Sequence, residues 1–247
     1  MTEEQLEKHK IAAKKLGLIK DKVFSFIKQN INKVSEYDVN KFISSEFKKQ
    51  RMITQKEYPA QIIGFGQNTS FVHYYPKASS SKIIEKDSLV LIDIWAKLNE
   101  KDAPFADITW MGYTGKDVPK EIRRTCKLVI GARDEVIKFI KKNLKDKRLP
   151  NSVEIEKTAR SFFDNFNVEE FFTHGVGHSL GITQDHGTYF RFSKKSKSKL
   201  RMNIPFTIEP GLYFKNKFGV RSEINCYVTK DYKLIVTTAI QKEIIKI

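Results

Sequence analysis

Cysteine is scarce in this chain, and long apolar runs are missing. Only two of the 247 residues are cysteine, Cys126 and Cys226, and both lie in apolar patterns far apart in the sequence. Such cysteines are typical of buried thiols in a reducing compartment, so we expect a cytoplasmic location and no disulfide framework. No stretch has the length of a membrane helix, and the charged N-terminus lacks the apolar core of a secretory signal.

Low-complexity linkers and short repeats are also missing. Hydrophobic residues make up 40% of the chain and charged residues 30%, which is an ordinary globular balance. A succession of helices and then strands occurs twice along the chain. We therefore predict one domain over 1–247, with pseudo-symmetric halves at about 1–116 and 117–247 and no separate N-terminal domain.

Acidic residues are in the minority, since 45 Lys and Arg face 29 Asp and Glu for a net charge of +16. This excess is compatible with nucleic-acid binding. However, the lysines are spread over the whole chain, and the densest basic run, 193–201, contains no aromatic residue. We interpret that run as a solvated loop, and nucleic acid is not the expected partner.

The spacing of apolar residues predicts a mixed α/β (α+β) protein. Helices are predicted at about 3–31, 35–51, 118–145 and 152–166, and strands at 60–64, 70–74, 88–96, 105–113, 204–209, 211–214, 219–228 and 233–246. Residues 88–96 and 105–113 are expected to pair antiparallel across a turn.

Five possible metal ligands stand in apolar strand-like stretches or beside glycine-containing turns: Asp93, Asp107, His178, Glu209 and Glu223. Acids rarely occur in such stretches without a partner, and four carboxylates brought together would repel one another. Divalent cations are the usual remedy. Four oxygen donors and one imidazole suit two adjacent ions such as Mn, Co, Fe or Zn.

Three of the five histidines of the chain, His174, His178 and His186, fall within thirteen residues. A single histidine is usually a satisfied core residue, but this clustering favours a metal or catalytic role. Arg221 and Glu223 are two residues apart, so they share one face of a strand. A simple local ion pair is the alternative interpretation of those two residues.

In this order the motifs resemble those of the creatinase-like, or pita-bread, metallopeptidases, which include Xaa-Pro aminopeptidases, prolidases and methionine aminopeptidases. The resemblance covers nearly the whole chain and rests on 63–68, 73–76, 89–93, 107–109, 174–181, 208–213 and 219–223. The His-Tyr-x-Pro sequence that begins at His73 is similar to the Xaa-Pro branch.

The resemblance implies a pita-bread fold around a central site for two divalent ions, with Mn preferred and Co, Fe or Zn as alternatives. Asp93 would chelate one ion, and Asp107 and Glu223 would bridge both. His178 and Glu209 would complete the second ion's ligands. Glu209 would also carry a proton from the nucleophilic water to the leaving amine.

The resemblance also implies roles for the pocket. His73, His174 and His186 would bind substrate and stabilise the oxyanion, while Arg221 would orient Glu223 or meet a substrate carboxylate. The implied activity is a dinuclear metal-dependent exopeptidase that hydrolyses the N-terminal bond of peptides or dipeptides, with Xaa-Pro bonds favoured. Its partner would be a peptide, and a homodimer is compatible with the resemblance.

Several positions depart from the family pattern. Fourteen positions separate Asp93 from Asp107, which is longer than usual, and Trp95 stands where a small residue is common. His186 comes later after His178 than usual, and Gly187 follows it in place of an acid. These changes keep the ligand set but are expected to reshape the substrate pocket.

Two other functions remain open. A catalytically silent pita-bread module would bind nucleic acid or protein, and the positive charge suits it. A metal-free amidinohydrolase related to creatinase is the other. Relatives of the silent type typically lose metal ligands, whereas all five are present here, so we favour the peptidase.

Overall fold

The computed structural model describes residues 1–55 and 61–247, and it is built from two helix-on-sheet layers. In the first layer, α1 (Glu3–Gln29) and α2 (Glu36–Lys49) pack against a five-stranded sheet. In the second, α3 (Lys120–Lys145) and α4 (Ser152–Asp164) pack against the strands of the C-terminal part. The predicted mixed α/β class is confirmed.

Local capping sequences fix where the helices begin. Ser35 and Asp38 form a reciprocal capping box at the start of α2, and Asn151 and Glu154 form another at the start of α4. Gly17 does not interrupt α1, which runs unbroken because ten of its side chains are buried. No helix of the described ranges is long and apolar enough to span a membrane.

The first sheet carries two of the predicted ligands. Its strands are β1 (Met52–Ile53), β2 (Ile62–Phe65), β3 (Leu89–Leu98), β4 (Ala106–Tyr113) and β12 (Ile245–Lys246), in the order β1-β3-β4-β12 with β2 also on β3. Strands β3 and β4 pair antiparallel as predicted, with Asp93 opposite Thr109 and Trp95 opposite Asp107. All four side chains therefore share one face of the hairpin.

The second sheet carries the remaining candidates. It has the order β11-β10-β7-β5-β6, formed by β5 (Gly177–Leu180), β6 (His186–Phe192), β7 (Phe206–Ile208), β10 (Ile224–Val228) and β11 (Leu234–Val236). A separate two-stranded hairpin is formed by β8 (Gly211–Phe214) and β9 (Phe218–Arg221).

Three strand predictions are wrong in detail. Residues 70–74 form no strand, because the chain makes a 3₁₀ helix over Gly66–Ser70 and then turns. The predicted strand 219–228 is broken, since the amide of Ser222 donates to Pro210 and that of Glu223 donates to Thr109. The segment 233–246 contains only β11 and β12. The predicted strand 60–64 begins outside the described residues, and its described part is β2.

The β3–β4 hairpin lies between two apolar cores. Val90, Ile92 and Ile94 point to the core under α1 and α2, while Leu91 and Trp95 point to the core shared with α3 and α4. Asp93 lies on the same face of β3 as Leu91 and Trp95, and Asp107 is opposite Trp95 on that face. The packing therefore turns both carboxylates towards the second sheet.

Candidate metal centre

Three predicted ligands converge from three separate segments of the chain. Asp107 on β4, His178 on β5 and Glu223 just before β10 each present one ligand atom, and these atoms all lie within 4.8 Å of one another. All three residues are buried. The sequence separations among them are large, so the convergence depends on how the two sheets pack.

The carboxylates of this cluster lack protein partners for one oxygen each. Oδ1 of Asp107 and Oε1 of Glu223 are shielded from solvent and accept no hydrogen bond from any described residue. Burial, with the charges of Glu223 and Asp93, raises the pKa of Asp107 well above its usual range. Burial, with the charges of Glu209 and Asp93, does the same to the pKa of Glu223. Because a cation would relieve both effects, these residues fit a divalent ion.

The imidazole of His178 is oriented for ligation. Its Nδ1–H donates to the carbonyl of Ser179 at 3.1 Å, which leaves Nε2 facing the carboxylates, 3.2 Å from Oε1 of Glu209. Burial opposes the charge of His178, but the Glu209 contact raises its pKa overall. Burial likewise opposes the charge of Glu209, and the hydrogen bond from His178 lowers its pKa overall.

Asp93 lies beside this cluster and is paired with a buried arginine. Its Oδ2 accepts from Nη2 of Arg221. Burial raises the pKa of Asp93, and the charge of Arg221 opposes that rise. Arg221 thus contacts Asp93 directly rather than Glu223.

A hydrogen-bonded chain leads from Arg221 to His174. The hydroxyl of Tyr213 accepts from Nη1 of Arg221 at 2.8 Å and donates to Nε2 of His174 at 3.0 Å. The Nδ1–H of His174 donates to the carbonyl of Gly175 at 2.8 Å. Burial lowers the pKa of His174 to about 4, so the ring is neutral in this chain. Sequence analysis assigned no role to Tyr213, whose one signal was its place in the motif that contains Glu209.

The other two predicted pocket histidines, His73 and His186, also line the site. The ring of His186, at the start of β6, is centred 3.9 Å from that of His178. Burial and the charge of His178 lower the pKa of His186 to about 4. His73 is exposed and follows the 3₁₀ helix in a turn.

Two further residues that sequence analysis missed hold the ligands in place. Thr109 donates to Oε2 of Glu223 at 2.8 Å and accepts from Nε of Arg221 at 3.0 Å. The side chain of Asn225 accepts from the amide of Asp107 at 2.9 Å and donates to its carbonyl at 2.6 Å. Thr109 was visible only as part of a motif, and nothing in the sequence distinguished Asn225.

A cavity of about 730 Å³ joins these features. Its lining includes every predicted site residue: His73, Asp93, Asp107, His174, His178, His186, Glu209, Arg221 and Glu223. Trp95 and Tyr75 form an apolar part of the wall, with their rings edge to face at 6.5 Å. A cavity of this size, with a few convergent polar groups, is suited to a small ligand or the end of a peptide.

Comparisons with known proteins agree with this arrangement. The model of metallopeptidase family M24 matches residues 7–230. An uncharacterized peptidase of Methanocaldococcus jannaschii is 31% identical over 88% of this chain and 58% of its own length. A Xaa-Pro dipeptidase of Pyrococcus horikoshii is 28% identical over 76% of this chain and 52% of its own. The chain therefore spans about half to three-fifths of the length of these curated relatives.

Solved structures confirm the predicted pita-bread-type fold. The X-Pro aminopeptidase of Thermotoga maritima superposes with a TM-score of 0.79 at 23% identity, over 100% of this chain and 64% of its own. The X-prolyl aminopeptidase of Caenorhabditis elegans, described as a cytosolic enzyme with a di-nuclear active site, gives 0.80 at 18% identity, over 99% and 41%.

Proposed function

Because this chain belongs to metallopeptidase family M24, we propose that it is a dinuclear metal-dependent exopeptidase that hydrolyses the N-terminal bond of peptides or dipeptides, with Xaa-Pro bonds preferred. One observation carries the proposal. Asp107, His178 and Glu223 meet in the wall of a cavity, and two of their carboxylate oxygens lack any partner in the described chain. A silent binding module would have no need of such a cluster.

We assign the metal ligands as Asp93, Asp107, His178, Glu209 and Glu223. Their donors are mostly carboxylate oxygens, and both cysteines are buried free thiols, so Mn is our first choice ahead of Co, Fe and Zn. When bound, such ions supply Lewis acidity and lower the pKa of a nucleophilic water.

Residues of the chain are proposed for proton transfer and for substrate binding. Glu209 is the proposed proton carrier, because its carboxylate borders the cavity and lies 3.2 Å from Nε2 of His178. The hydroxyl of Thr207 donates to Glu209 at 3.1 Å and fixes its orientation. Both nitrogens of His174 are engaged, so we assign its role in substrate binding jointly to His174 and Tyr213.

His73, His186 and Arg221 complete the proposed substrate contacts. His186 is neutral because of its low pKa, so one ring nitrogen can donate to an oxyanion while the other accepts. His73 is exposed at the cavity wall, where it can meet the peptide backbone. Arg221 is buried and acts through Asp93, Thr109 and Tyr213 rather than as a free carboxylate receptor.

We propose a cytoplasmic location and a peptide, rather than nucleic acid, as the partner. Burial raises the pKa of Cys126 to about 12, which keeps this thiol unreactive, as expected for a structural cysteine in a reducing compartment. The net charge of +16 supports the alternative function, a silent module that binds nucleic acid or protein. Salt-dependent affinity for nucleic acid in a metal-free, inactive protein would support that alternative.

The first experiment is mass-spectrometric turnover of a peptide mixture. The set contains Xaa-Pro and Xaa-Ala peptides of two to five residues, with Mn²⁺ and with a chelator. We expect metal-dependent loss of the residue before proline, and the preferred length separates dipeptidase from aminopeptidase. Absence of cleavage by a demonstrably metal-loaded protein contradicts the proposed substrate, and absence of both cleavage and bound metal contradicts the enzyme itself.

A further inference from the structure

A fully buried carboxylate lies outside the metal centre, at the first residue of α2. Glu36 is 0% exposed and has no salt bridge to any described residue. Its Oε1 accepts from the amide of Phe65 at 2.7 Å and from the side chain of Asn68 at 2.9 Å. Its Oε2 accepts from the hydroxyl of Tyr74 at 2.7 Å and from the amide of Lys82 at 2.9 Å. In each of these side-chain contacts the Glu36 carboxylate is the acceptor.

All four donors belong to one segment, residues 65–82, which carries His73. This segment leaves β2, makes the 3₁₀ helix and returns to α2 through turns, without a strand of its own. A chain without a strand ladder needs other acceptors for its buried amides. Glu36 provides them for Phe65 and Lys82, and the carbonyl of Lys82 in turn accepts from the amide of Glu36 at 3.0 Å.

The metal centre holds the same segment from the other side. Nη1 of Arg221 donates to the carbonyl of Val72 at 3.1 Å, while Nη2 of the same residue pairs with Asp93. His73 is therefore flanked by Val72, held by Arg221, and by Tyr74, held by Glu36. Its own side chain is exposed at the cavity wall and accounts for none of this anchoring.

We propose that Glu36 is a positioning residue that sets His73 against the metal centre by fixing the segment 65–82. The inference rests on the proposed function, in which His73 contacts the peptide. A glutamine at this position would keep one acceptor oxygen but turn an N–H₂ group towards a backbone donor, so the hydrogen bond from the amide of Lys82, or the one from the amide of Phe65, would be lost. The change in side-chain volume is negligible.

The first test compares Glu36→Gln with Glu46→Gln in the full chain. Glu46 is a matched control because it is also buried on α2 but pairs with Lys22 and Lys49, each at 2.6 Å, away from the segment. With unchanged circular dichroism and metal content, Glu36→Gln should lower kcat/KM for an Xaa-Pro peptide by about 10- to 100-fold. Glu46→Gln should stay within about twofold of wild type. Equal losses in the two variants contradict a specific role for Glu36.

A double-mutant cycle separates positioning from general damage. If Glu36 acts through His73, the loss caused by Glu36→Gln should nearly vanish in a His73→Ala background. If Glu36 has only a structural role, Glu36→Gln should lower kcat/KM by the same factor in the wild-type and His73→Ala backgrounds. That result overturns the proposal.

A third measurement does not depend on turnover. The imidazole proton signals of the five histidines can be followed by NMR, with His73 assigned from His73→Ala. Glu36→Gln should shift the His73 signal, and Glu46→Gln should leave it in place. If Glu36→Gln does not fold, Tyr74→Phe removes a single hydroxyl beside His73 and should shift the same signal. An unmoved His73 signal overturns the proposal about Glu36, whether or not the wild-type protein cleaves peptides. Absence of cleavage by wild type would instead contradict the proposed function.

Discussion

The buried acids around the candidate metal centre lie in two different electrostatic environments. Asp93 has a cation from the protein itself, the guanidinium of Arg221. Asp107 and Glu223 have none among the described residues, and burial raises the pKa of each. Arg221 compensates part of the charge of Asp93, whereas Asp107 and Glu223 require protons or an added cation. The uncompensated carboxylates of Asp107 and Glu223 are therefore the strongest argument for a cation at this cluster.

The proposed proton carrier gives the sharpest test at a single residue. Glu209→Gln should abolish turnover while leaving the fold intact, because the amide keeps the shape of the side chain but cannot accept a proton. The measurement is kcat with Mn²⁺, together with circular dichroism and bound-metal analysis. Retained activity in a folded, metal-loaded Glu209→Gln protein would show that another group carries the proton.

Trp95 offers a test of the cavity wall. It is 4% exposed, and its indole N–H has no hydrogen-bond partner among the described residues. Trp95→Phe removes this unsatisfied donor, so we expect the free energy of unfolding to stay within about 1 kcal/mol of wild type. The control Trp110→Phe weakens a cation–π contact with Nζ of Lys20, which lies 3.7 Å from the ring centroid, and should cost more. Urea unfolding compares the two, and a larger loss for Trp95→Phe would contradict this account.

Among the elements, β5 carries the proposed ligand His178 in a tightly packed part of the second sheet. It lies between β6 and β7, and a Cβ added at Gly177 would overlap the carbonyl oxygen of Thr207. This close approach of two backbones places His178 beside Glu209, and only glycine permits it.

Gly177→Ala should therefore destabilise the protein by about 1–3 kcal/mol and weaken metal binding, since β5 must move away from β7. Gly17→Ala is the matched control, because nothing lies within 4 Å of its added Cβ and the site is in the middle of α1. That change should stabilise the protein by about 0.5–1 kcal/mol. Denaturant unfolding and metal titration check both variants, and an unperturbed Gly177→Ala protein would refute the steric argument.

Helix α1 is tied to the centre of the molecule by a buried histidine. Nδ1–H of His9 donates to the carbonyl of Phe105 at 2.8 Å, and Nε2 accepts from the hydroxyl of Thr237 at 2.9 Å. Burial lowers the pKa of His9 from 6.5 to about 4, so the folded chain keeps this ring neutral where the unfolded chain protonates it. Its contribution to stability is full above pH 6.5 and is lost as the pH falls towards 4.

His9→Gln removes this titration. The variant should have a lower free energy of unfolding than wild type at pH 7. This difference should narrow by about 2 kcal/mol between pH 7 and pH 5, because only wild type loses the contribution of a neutral His9. The free energy of unfolding at several pH values measures the gap. A gap that stays constant across this range would mean that His9 does not titrate as a neutral buried ring.

Across the whole molecule, the metal centre is where the two sheets meet. Asn225 of the second sheet binds both backbone groups of Asp107 in the first, and Thr109 reaches across to Glu223. Strand β12, near the C-terminus, pairs with β4 of the first sheet. An ion at this junction would therefore stabilise the packing of the sheets as well as supply chemistry.

Bound metal should consequently reverse the sign of the effect that Glu223→Gln has on stability. In the presence of a chelator, Glu223→Gln should raise stability by about 1–3 kcal/mol, because it removes a buried charge and lets an amide donate towards Asp107. With Mn²⁺ at a hundred times its Kd, wild type should gain about 2.7 kcal/mol, and the variant should gain little. Thermal unfolding with chelator and with Mn²⁺ tests both parts. The same effect of Glu223→Gln in both conditions would argue against a cation at this cluster.

Local patterns in the chain were sufficient for the helices, for the β3–β4 hairpin and for the mixed α/β class, because apolar periodicity and capping residues act over a few positions. Together with the family resemblance, they also pointed to residues that line one cavity. They failed at 70–74, where side chains from elsewhere, Glu36 and Arg221, hold the chain in turns.

Long-range packing alone specified the partners within the site. Three examples show this dependence on contacts between distant segments. Arg221 pairs with Asp93 and not with its neighbour Glu223. Asn225 binds the backbone of Asp107, and Tyr213 links Arg221 to His174. Sequence spacing carries no information about such contacts, because they arise only when the sheets exclude water and each buried polar group must find the nearest donor or acceptor.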